Sequence, residues 1–264
     1  MISTRNYNGI KMKNLIIGAI SGNYKVSDIQ KWVETSNSIE CDRVLLLYNN
    51  SNVDIIPYLK ENKVEVILPE HNLYGEIMDQ FLTDTGKMDI ETSYTLVHNI
   101  RFFHIWQFLN DSNYEKVLIT DVRDVYFNRD PFNQIPHNML IASSEVVKYK
   151  DEDWNKRHLF VNLGGIGLDV LLDKEVYNVG VFGGDNHYVK NICRDIYLMS
   201  VGKKLVADQT SFNYLIQTSY KDDVMFTDLN DKFGIHLHVI ASGHVKFDVN
   251  KINEYTIVHQ YDRL

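Results

Sequence analysis

Residues 114–132, YEKVLITDVRDVYFNRDPF, indicate both the class of fold and the position of a site. The apolar run 117–120 has the length and composition of a buried strand in a parallel sheet. Two carboxylates, Asp121 and Asp124, follow this run directly, with Arg123 between them. Because ligands of open α/β sheets bind at the carboxyl ends of strands, these acidic groups stand where a ligand is expected.

The two carboxylates have two interpretations. Two hard oxygen ligands beside a cation suit a Mg²⁺ or Mn²⁺ ion that holds a phosphate-bearing substrate. In the alternative, Asp121 caps a turn and Asp124 pairs with Arg123 on the surface, because Asp is common where strands end. The remaining segments of the chain favour the metal site.

The composition is that of a globular protein, and the net charge excludes one class of partner. The chain has 264 residues, of which 44% are hydrophobic, and a formal net charge of −8. This charge argues against a nucleic-acid binder, which would carry a basic surface.

The cysteines, Cys41 and Cys193, form no C-x-x-C motif, so neither a disulfide framework nor a zinc site is expected. No apolar run approaches a membrane span, so we expect a cytoplasmic protein without a transmembrane segment.

Strands and helices alternate along the N-terminal half. We predict strands at residues 15–20, 43–48 and 64–68, and helices at 26–36 and 53–61. The alternation predicts an α/β fold with a mostly parallel, doubly wound sheet flanked by helices. Further helices are predicted at 74–82 and 95–109, before the strand at 116–120.

The C-terminal half is less regular. We expect a strand at 139–143, a charged loop at 148–158, and a turn at Gly164-Gly165 before a helix at 169–174. The remaining predicted elements are a strand at 176–182, helices at 188–201 and 208–217, and short strands near Phe226, at 235–240 and at 255–258. No linker or repeat divides the chain, so a single domain is expected.

Four segments carry the residues suited to chemistry: 120–124 (TDVRD), 178–184 (NVGVFGG), 207–213 (ADQTSFN) and 257–263 (IVHQYDR). In this order, after a Rossmann-like half and a helix with Arg101, the chain resembles a GT-A-fold glycosyltransferase. It looks most like the branch of this family whose members carry the motif D-x-R-D-V-x-F-x-x-D-P-F and end in H-Q-Y-D-R. Residues 1–13 are polar and are expected to form a tail, and the resemblance implies a GT-A domain at 14–264. Within it, about 14–125 would bind the nucleotide and 126–264 would face the acceptor.

The resemblance implies a set of metal ligands. Asp121, Asp124 and His259 match the acidic pair and the late histidine that hold Mn²⁺ or Mg²⁺ against the diphosphate. The D-x-x-D spacing is one residue longer than the commoner D-x-D, so which carboxylate binds directly stays open. A histidine that only forms structural hydrogen bonds is the alternative for His259. If Arg123 occupies the diphosphate side, the metal would be weak or absent.

Donor contacts are implied for several segments. Gly18, Ala19 and Ser21 would approach the base and ribose, and Arg101 would point to the diphosphate or to the acidic loop, unless it is a solvated helix-surface arginine. Small residues of the N-x-G segment would let the chain pass close to the donor sugar. The full expected set is Gly18, Ala19, Ser21, Arg101, Asp121, Arg123, Asn178, Gly180 and Gln209.

Three acidic residues are candidates for the catalytic step. Asp208 matches the D-Q carboxylate that contacts the donor sugar in retaining members, although it could also be an N-cap. Asp185 and Glu145 are expected near the cleft, and either could be the general base of an inverting enzyme. The D-Q carboxylate favours retention. The late histidines without an assigned role are His236, His238 and His244, which we expect to be surface or strand residues.

The resulting hypothesis is transfer of a hexose-type sugar from a nucleoside-diphosphate donor to a glycan or other hydroxyl acceptor. Two other functions remain open. A sugar-nucleotide nucleotidyltransferase would need a Gly-rich basic loop after the first strand, and residues 21–25 (SGNYK) form a poor one. A non-catalytic carbohydrate-binding protein could keep the same fold.

Overall fold

Apolar runs of the sequence form the central strands. The computed structural model describes residues 12–48, 53–69, 90–201, 203 and 205–263, without the side chains of 90–96. Its strands are β1 (Lys13–Ile20), β2 (Asp42–Leu47), β3 (Glu65–Ile67), β4 (Tyr114–Thr120), β5 (Val125–Phe127), β6 (Leu140–Lys148), β7 (Glu175–Asp185), β8 (Val224–Thr227), β9 (Gly234–His236) and β10 (Ile257–His259).

These strands form two sheets. Seven strands pair in the order β3-β2-β1-β4-β7-β6-β8, and three in the order β5-β10-β9. In the larger sheet β7 runs antiparallel to both of its neighbours, whereas β1 to β4 are parallel and β6 is parallel to β8. The expected α/β fold with a mostly parallel sheet is therefore confirmed, and β7 is its one reversed strand among the described residues.

Helices cover both faces of the larger sheet. They are α1 (Val26–Ser36), α2 (Ile56–Glu61), α3 (Ile90–Asn110), α4 (Asp153–Leu171), α5 (Asn186–Ser200), α6 (Asp208–Gln217) and α7 (Leu237–Ala241). Side chains of β1 alternate between the faces: Leu15 and Ile17 pack with α3, α5 and α6, while Ile16 packs with α1 and α2. Each such buried side chain contributes roughly 1.5–3 kcal/mol to folding. The two apolar layers and the sheet make a single domain. Among the described residues no helix is long and apolar enough to cross a bilayer.

Several predicted elements require correction. The charged loop expected at 148–158 is a short 3-10 turn, Tyr149–Asp151, followed directly by α4. The turn expected at Gly164-Gly165 is a kink inside α4, where Gly164 has φ 60 and so takes a conformation that glycine tolerates. The strand expected at 235–240 ends at His236 and continues as α7. The helix predicted at 74–82 lies outside the described residues.

Candidate metal centre and cleft

The acidic loop joins the two sheets. Asp121 follows the last residue of β4, and Asp124 immediately precedes β5. The Asp121 amide donates to the Gly180 carbonyl at 2.7 Å, which fixes the start of the loop against β7. The carbonyl of Asp124 accepts from the Gln260 amide at 2.7 Å, which fixes its end against the C-terminal segment. The loop is therefore held at both ends by backbone hydrogen bonds.

His259 lies against both carboxylates. It ends β10 opposite Val125, so its ring is beside the acidic loop. Its Nε2 is 3.4 Å from Asp121 Oδ2 and 3.6 Å from Asp124 Oδ1, and the three residues offer ligand atoms within 4.8 Å of one another. His259 is only 2% exposed, and its Nε2 has no hydrogen-bond partner among the described residues. A buried, unpartnered nitrogen facing two carboxylates fits a divalent cation.

A second imidazole lies behind the first. His236 is opposite His259 in the parallel pairing of β9 and β10, and their Nδ1 atoms are 3.0 Å apart. Burial lowers the pKa of His236 well below its ordinary value, so its ring is neutral. A hydrogen bond at Nδ1 orients the His259 ring with Nε2 toward the carboxylates, as second-layer partners of metal ligands do.

Arg101 bridges two carboxylates in the floor of the site. Its guanidinium donates to Asp121 Oδ1 at 2.7 Å and to Asp208 Oδ2 at 3.1 Å, and the residue is 5% exposed. Burial alone would raise the pKa of Asp121, but Arg101 and His259 outweigh it and hold that pKa below its ordinary value. Burial and the neighbouring Asp121 raise the pKa of Asp124. Asp121 is thus the firmly ionised member of the acidic pair.

Asp208 is the first residue of α6 rather than its N-cap, which is Ala207. Besides the ion pair with Arg101, its Oδ1 accepts from the Gln209 amide at 2.8 Å. Both carboxylate oxygens of Asp208 therefore have protein partners, and the residue holds Arg101 in place.

The N-x-G segment approaches the acidic loop closely. Asn178 Oδ1 accepts from the Gly180 amide at 2.7 Å, and Asn178 Nδ2 donates to Glu145 Oε1 at 2.5 Å. A Cβ atom on Gly180 would lie 2.4 Å from Asp121 Oδ2. Only glycine lets β7 pass this close to the carboxylate, which gives the segment a physical role beside the candidate metal centre.

A cleft of about 500 Å³ opens over these groups. Ala19, Ser21 and Tyr24 line it at the carboxyl end of β1, on one side of β4. Asn178 and Gln209 line it on the other side, where β7 and α6 lie. Its volume is within the range that small-molecule ligands occupy in proteins.

Most of the residues singled out in the sequence meet at this cleft. Gly18 lies beneath it, where a Cβ would be 2.4 Å from Val122 Cγ2, so its small size lets β1 pack against the acidic loop. The predicted residues that line the cleft are Ala19, Ser21, Arg101, Asp121, Arg123, Asp124, Asn178, Gly180, Asp208, Gln209 and His259.

Two acidic candidates are placed elsewhere. β7 runs antiparallel to β4, so Asp185, at the end of β7, lies opposite Lys116 near the amino end of β4. Asp121 follows the carboxyl end of β4, at the other end of the strand. Asp185 instead caps α5 and accepts from the His187 amide. The expectation that it lies near the cleft is wrong. Glu145 does not line the cleft either: it is 1% exposed and lies behind Asn178.

The sequence interpretation missed His236 and His238. His238 Nε2 is 3.5 Å from Glu145 Oε2, and its Nδ1 bonds the side chain of Gln260, a cleft residue with a positive φ of 59. Alternating imidazoles in an otherwise apolar segment, GIHLHVI, were the available signal.

No known protein-family model and no curated protein matches this chain.

Proposed function

We propose that this protein is a metal-dependent glycosyltransferase of the GT-A type, which moves a hexose-type sugar from a nucleoside-diphosphate donor to a hydroxyl acceptor. The observation that carries the proposal is the convergence of Asp121, Asp124 and His259 within 4.8 Å in a ligand-sized cleft. The resemblance of the ordered motifs supports the class of donor. The mixed oxygen and nitrogen ligand set favours Mn²⁺ over Mg²⁺.

Positive charge in the cleft suits a diphosphate. The chain has a net charge of −8, so an anionic donor needs local cations. A bound divalent ion would supply Lewis-acid stabilisation of the charge that grows on the departing diphosphate. Arg123, which is 3.0 Å from Asp262 and 3.9 Å from Asp124, adds a partly exposed guanidinium at the same place. Arg101 keeps Asp121 ionised and oriented for the ion.

The distribution of carboxylates supports retention of configuration. Among the described residues that line the cleft, the carboxylates are Asp121, Asp124 and Asp208. Two are assigned to the metal and the third is paired with Arg101, which leaves no carboxylate for the general base of an inverting enzyme. We expect the product to keep the anomeric configuration of the donor, and NMR of its anomeric proton tests this.

The test of function is a thermal-shift screen of nucleotide sugars with and without Mn²⁺, followed by a donor-hydrolysis assay. A donor at about 100 times its Kd should stabilise the native state by about 2.7 kcal/mol, only with the metal present. A protein that instead joins a nucleoside triphosphate to a sugar 1-phosphate, forming the nucleotide sugar and releasing pyrophosphate, would be a nucleotidyltransferase. Binding without hydrolysis or transfer would identify a non-catalytic binding protein.

Asp124→Asn is the decisive variant. Loss of a metal ligand worth several kcal/mol should lower turnover by about 100-fold or more. Because burial and Asp121 disfavour the ionised form of Asp124, thermal stability without metal should be unchanged or higher. Asp222→Asn, at an exposed position, is the matched control and should keep full activity. Full activity of the Asp124 variant would refute the metal role.

A further inference from the structure

Trp154 is an exposed aromatic residue on the rim of the cleft. It lines the cleft from the first turn of α4 and is 48% exposed, although tryptophan is usually highly buried. Its indole stacks on the His158 ring with centroids 3.8 Å apart and an interplanar angle of 28°. One face of the indole is thus covered by His158, so a ligand ring that stacks on Trp154 must use the other face.

The turn that carries the indole is held by hydrogen bonds. Glu152 caps α4 and accepts from the amides of Trp154 at 3.0 Å and Asn155 at 2.6 Å. The carbonyl of Trp154 is 2.8 Å from His158 Nδ1, which ties the stacked ring to the same turn. Asn155 Oδ1 accepts from Gln209 Nε2 at 2.9 Å, so this turn is joined to the cleft residues of α6. A rigid aromatic surface binds a ligand with little loss of conformational freedom.

We infer that Trp154 is the stacking platform for a sugar ring of the acceptor, so that the acceptor is a saccharide; this inference rests on the proposed function. The C–H face of a pyranose is apolar and weakly positive, and it packs well on the electron-rich face of an indole. Asn178 and Gln209 line the same side of the cleft, so the platform lies beside a polar wall of the site.

The position of Trp154 separates it from the nucleotide end. Gln209, which bonds Asn155, also accepts from the Val179 amide at 3.4 Å, next to the glycine that abuts Asp121. Trp154 is therefore joined to the β7 side of the metal centre. Ala19 and Ser21 lie at the carboxyl end of β1, on the opposite side of β4. A donor with its base near β1 and its diphosphate at the metal centre directs its sugar toward the Trp154 side.

The test compares Trp154→Ala and Trp154→Phe in the full chain with Mn²⁺. The measured quantities are the KM of saccharide acceptors from a panel of methyl glycosides and disaccharides, the KM of the donor, and donor hydrolysis without acceptor. In the Ala variant we expect the acceptor KM to rise about tenfold or more, with donor KM and hydrolysis within about threefold of wild type. The Phe variant should recover most of the acceptor affinity.

Phe160→Ala is the matched control, because Phe160 is 60% exposed on the same helix and does not line the cleft. It should change neither KM. A Trp154 variant that raises the donor KM and leaves the acceptor KM unchanged would overturn the inference, as would equal affinity of all three proteins for the saccharide acceptor.

A wild-type protein that hydrolyses no nucleotide sugar would defeat the proposed function but not this site. In that case the same saccharides are titrated against intrinsic fluorescence, since of the three tryptophans Trp32 is fully buried, Trp106 is partly buried and Trp154 is half exposed. A saturable change that is lost in Trp154→Phe supports the sugar platform. No saturable change with any saccharide of the panel overturns it.

Discussion

The Nδ1 atoms of His236 and His259 lie 3.0 Å apart in the pair of strands behind the acidic loop. A histidine that offers Nε2 to a cation must carry its proton on Nδ1, and the Nδ1 of the neutral His236 is then the acceptor. His236→Ala removes this acceptor. We expect its affinity for Mn²⁺ to fall about 10- to 100-fold by isothermal titration calorimetry, as for other second-layer partners.

Two further variants sharpen the result. His236→Asn places a side-chain oxygen near the lost Nδ1 and should recover part of the affinity. His244→Asn, at an exposed position, should have no effect. If His236→Ala stays folded and binds Mn²⁺ as tightly as wild type, the orienting role is wrong.

Gly180→Ala tests the close approach of β7 to Asp121. The added methyl group would be 2.4 Å from Asp121 Oδ2 and 2.8 Å from its Cγ, so the carboxylate must move. Alanine is otherwise better than glycine inside a strand by roughly 0.5–1 kcal/mol. We therefore expect weaker Mn²⁺ binding with little loss of thermal stability.

Gly165→Ala is the control for this steric effect, because a Cβ there meets nothing within 4 Å. It should leave metal binding unchanged. Equal Mn²⁺ affinity in the two alanine variants would show that the Asp121 carboxylate can move without weakening metal binding.

Arg101→Met should be the most destabilising of these changes. It leaves two carboxylates, Asp121 and the buried Asp208, without their common cation. Loss of one partner of a buried ion pair costs about 3–5 kcal/mol, which urea unfolding would measure. Arg194→Met removes an exposed ion pair with Asp195 and should cost less than about 1 kcal/mol. Similar losses in both variants would contradict a structural role for the buried pair.

The pair formed by His238 and Glu145 predicts a pH dependence of stability. Burial alone would lower the pKa of His238, but the hydrogen bond and charge of Glu145, with the hydrogen bond to Gln260, raise it above the ordinary 6.5. Folding therefore favours the protonated ring. Its contribution is fully present below pH 6.5 and is lost as the pH rises through the raised pKa.

The measurement is the free energy of unfolding of wild type and His238→Gln in urea at about pH 5.5, 7 and 8.5. The advantage of the wild type should be largest at the lowest pH. In a Glu145→Gln background that pH dependence should shrink, because the carboxylate is its main favourable cause. A constant difference at all three pH values would contradict the assignment.

Local pattern was enough to predict much of the fold. The run at 15–20 predicted β1, the run at 116–120 predicted β4, and α1 was predicted with its observed bounds. β1 and β4 follow from short continuous apolar runs, and α1 follows from apolar residues repeating with period 3.6. The kink at Gly164 escaped prediction because the pair Gly164-Gly165 is typical of a turn, and only tertiary packing continues the helix beyond it.

The residue types of the site were visible in the sequence, since Asp121 and Asp124 directly follow an apolar strand and His259 lies in a distinctive C-terminal segment. Only the tertiary structure decided which of the other polar groups join them. Asp185 is carried to the far edge by the reversed direction of β7, and His236 is brought behind His259 by the pairing of β9 with β10. Strand direction and register depend on contacts between segments that are distant in the sequence. The local sequence of a single strand therefore does not fix them.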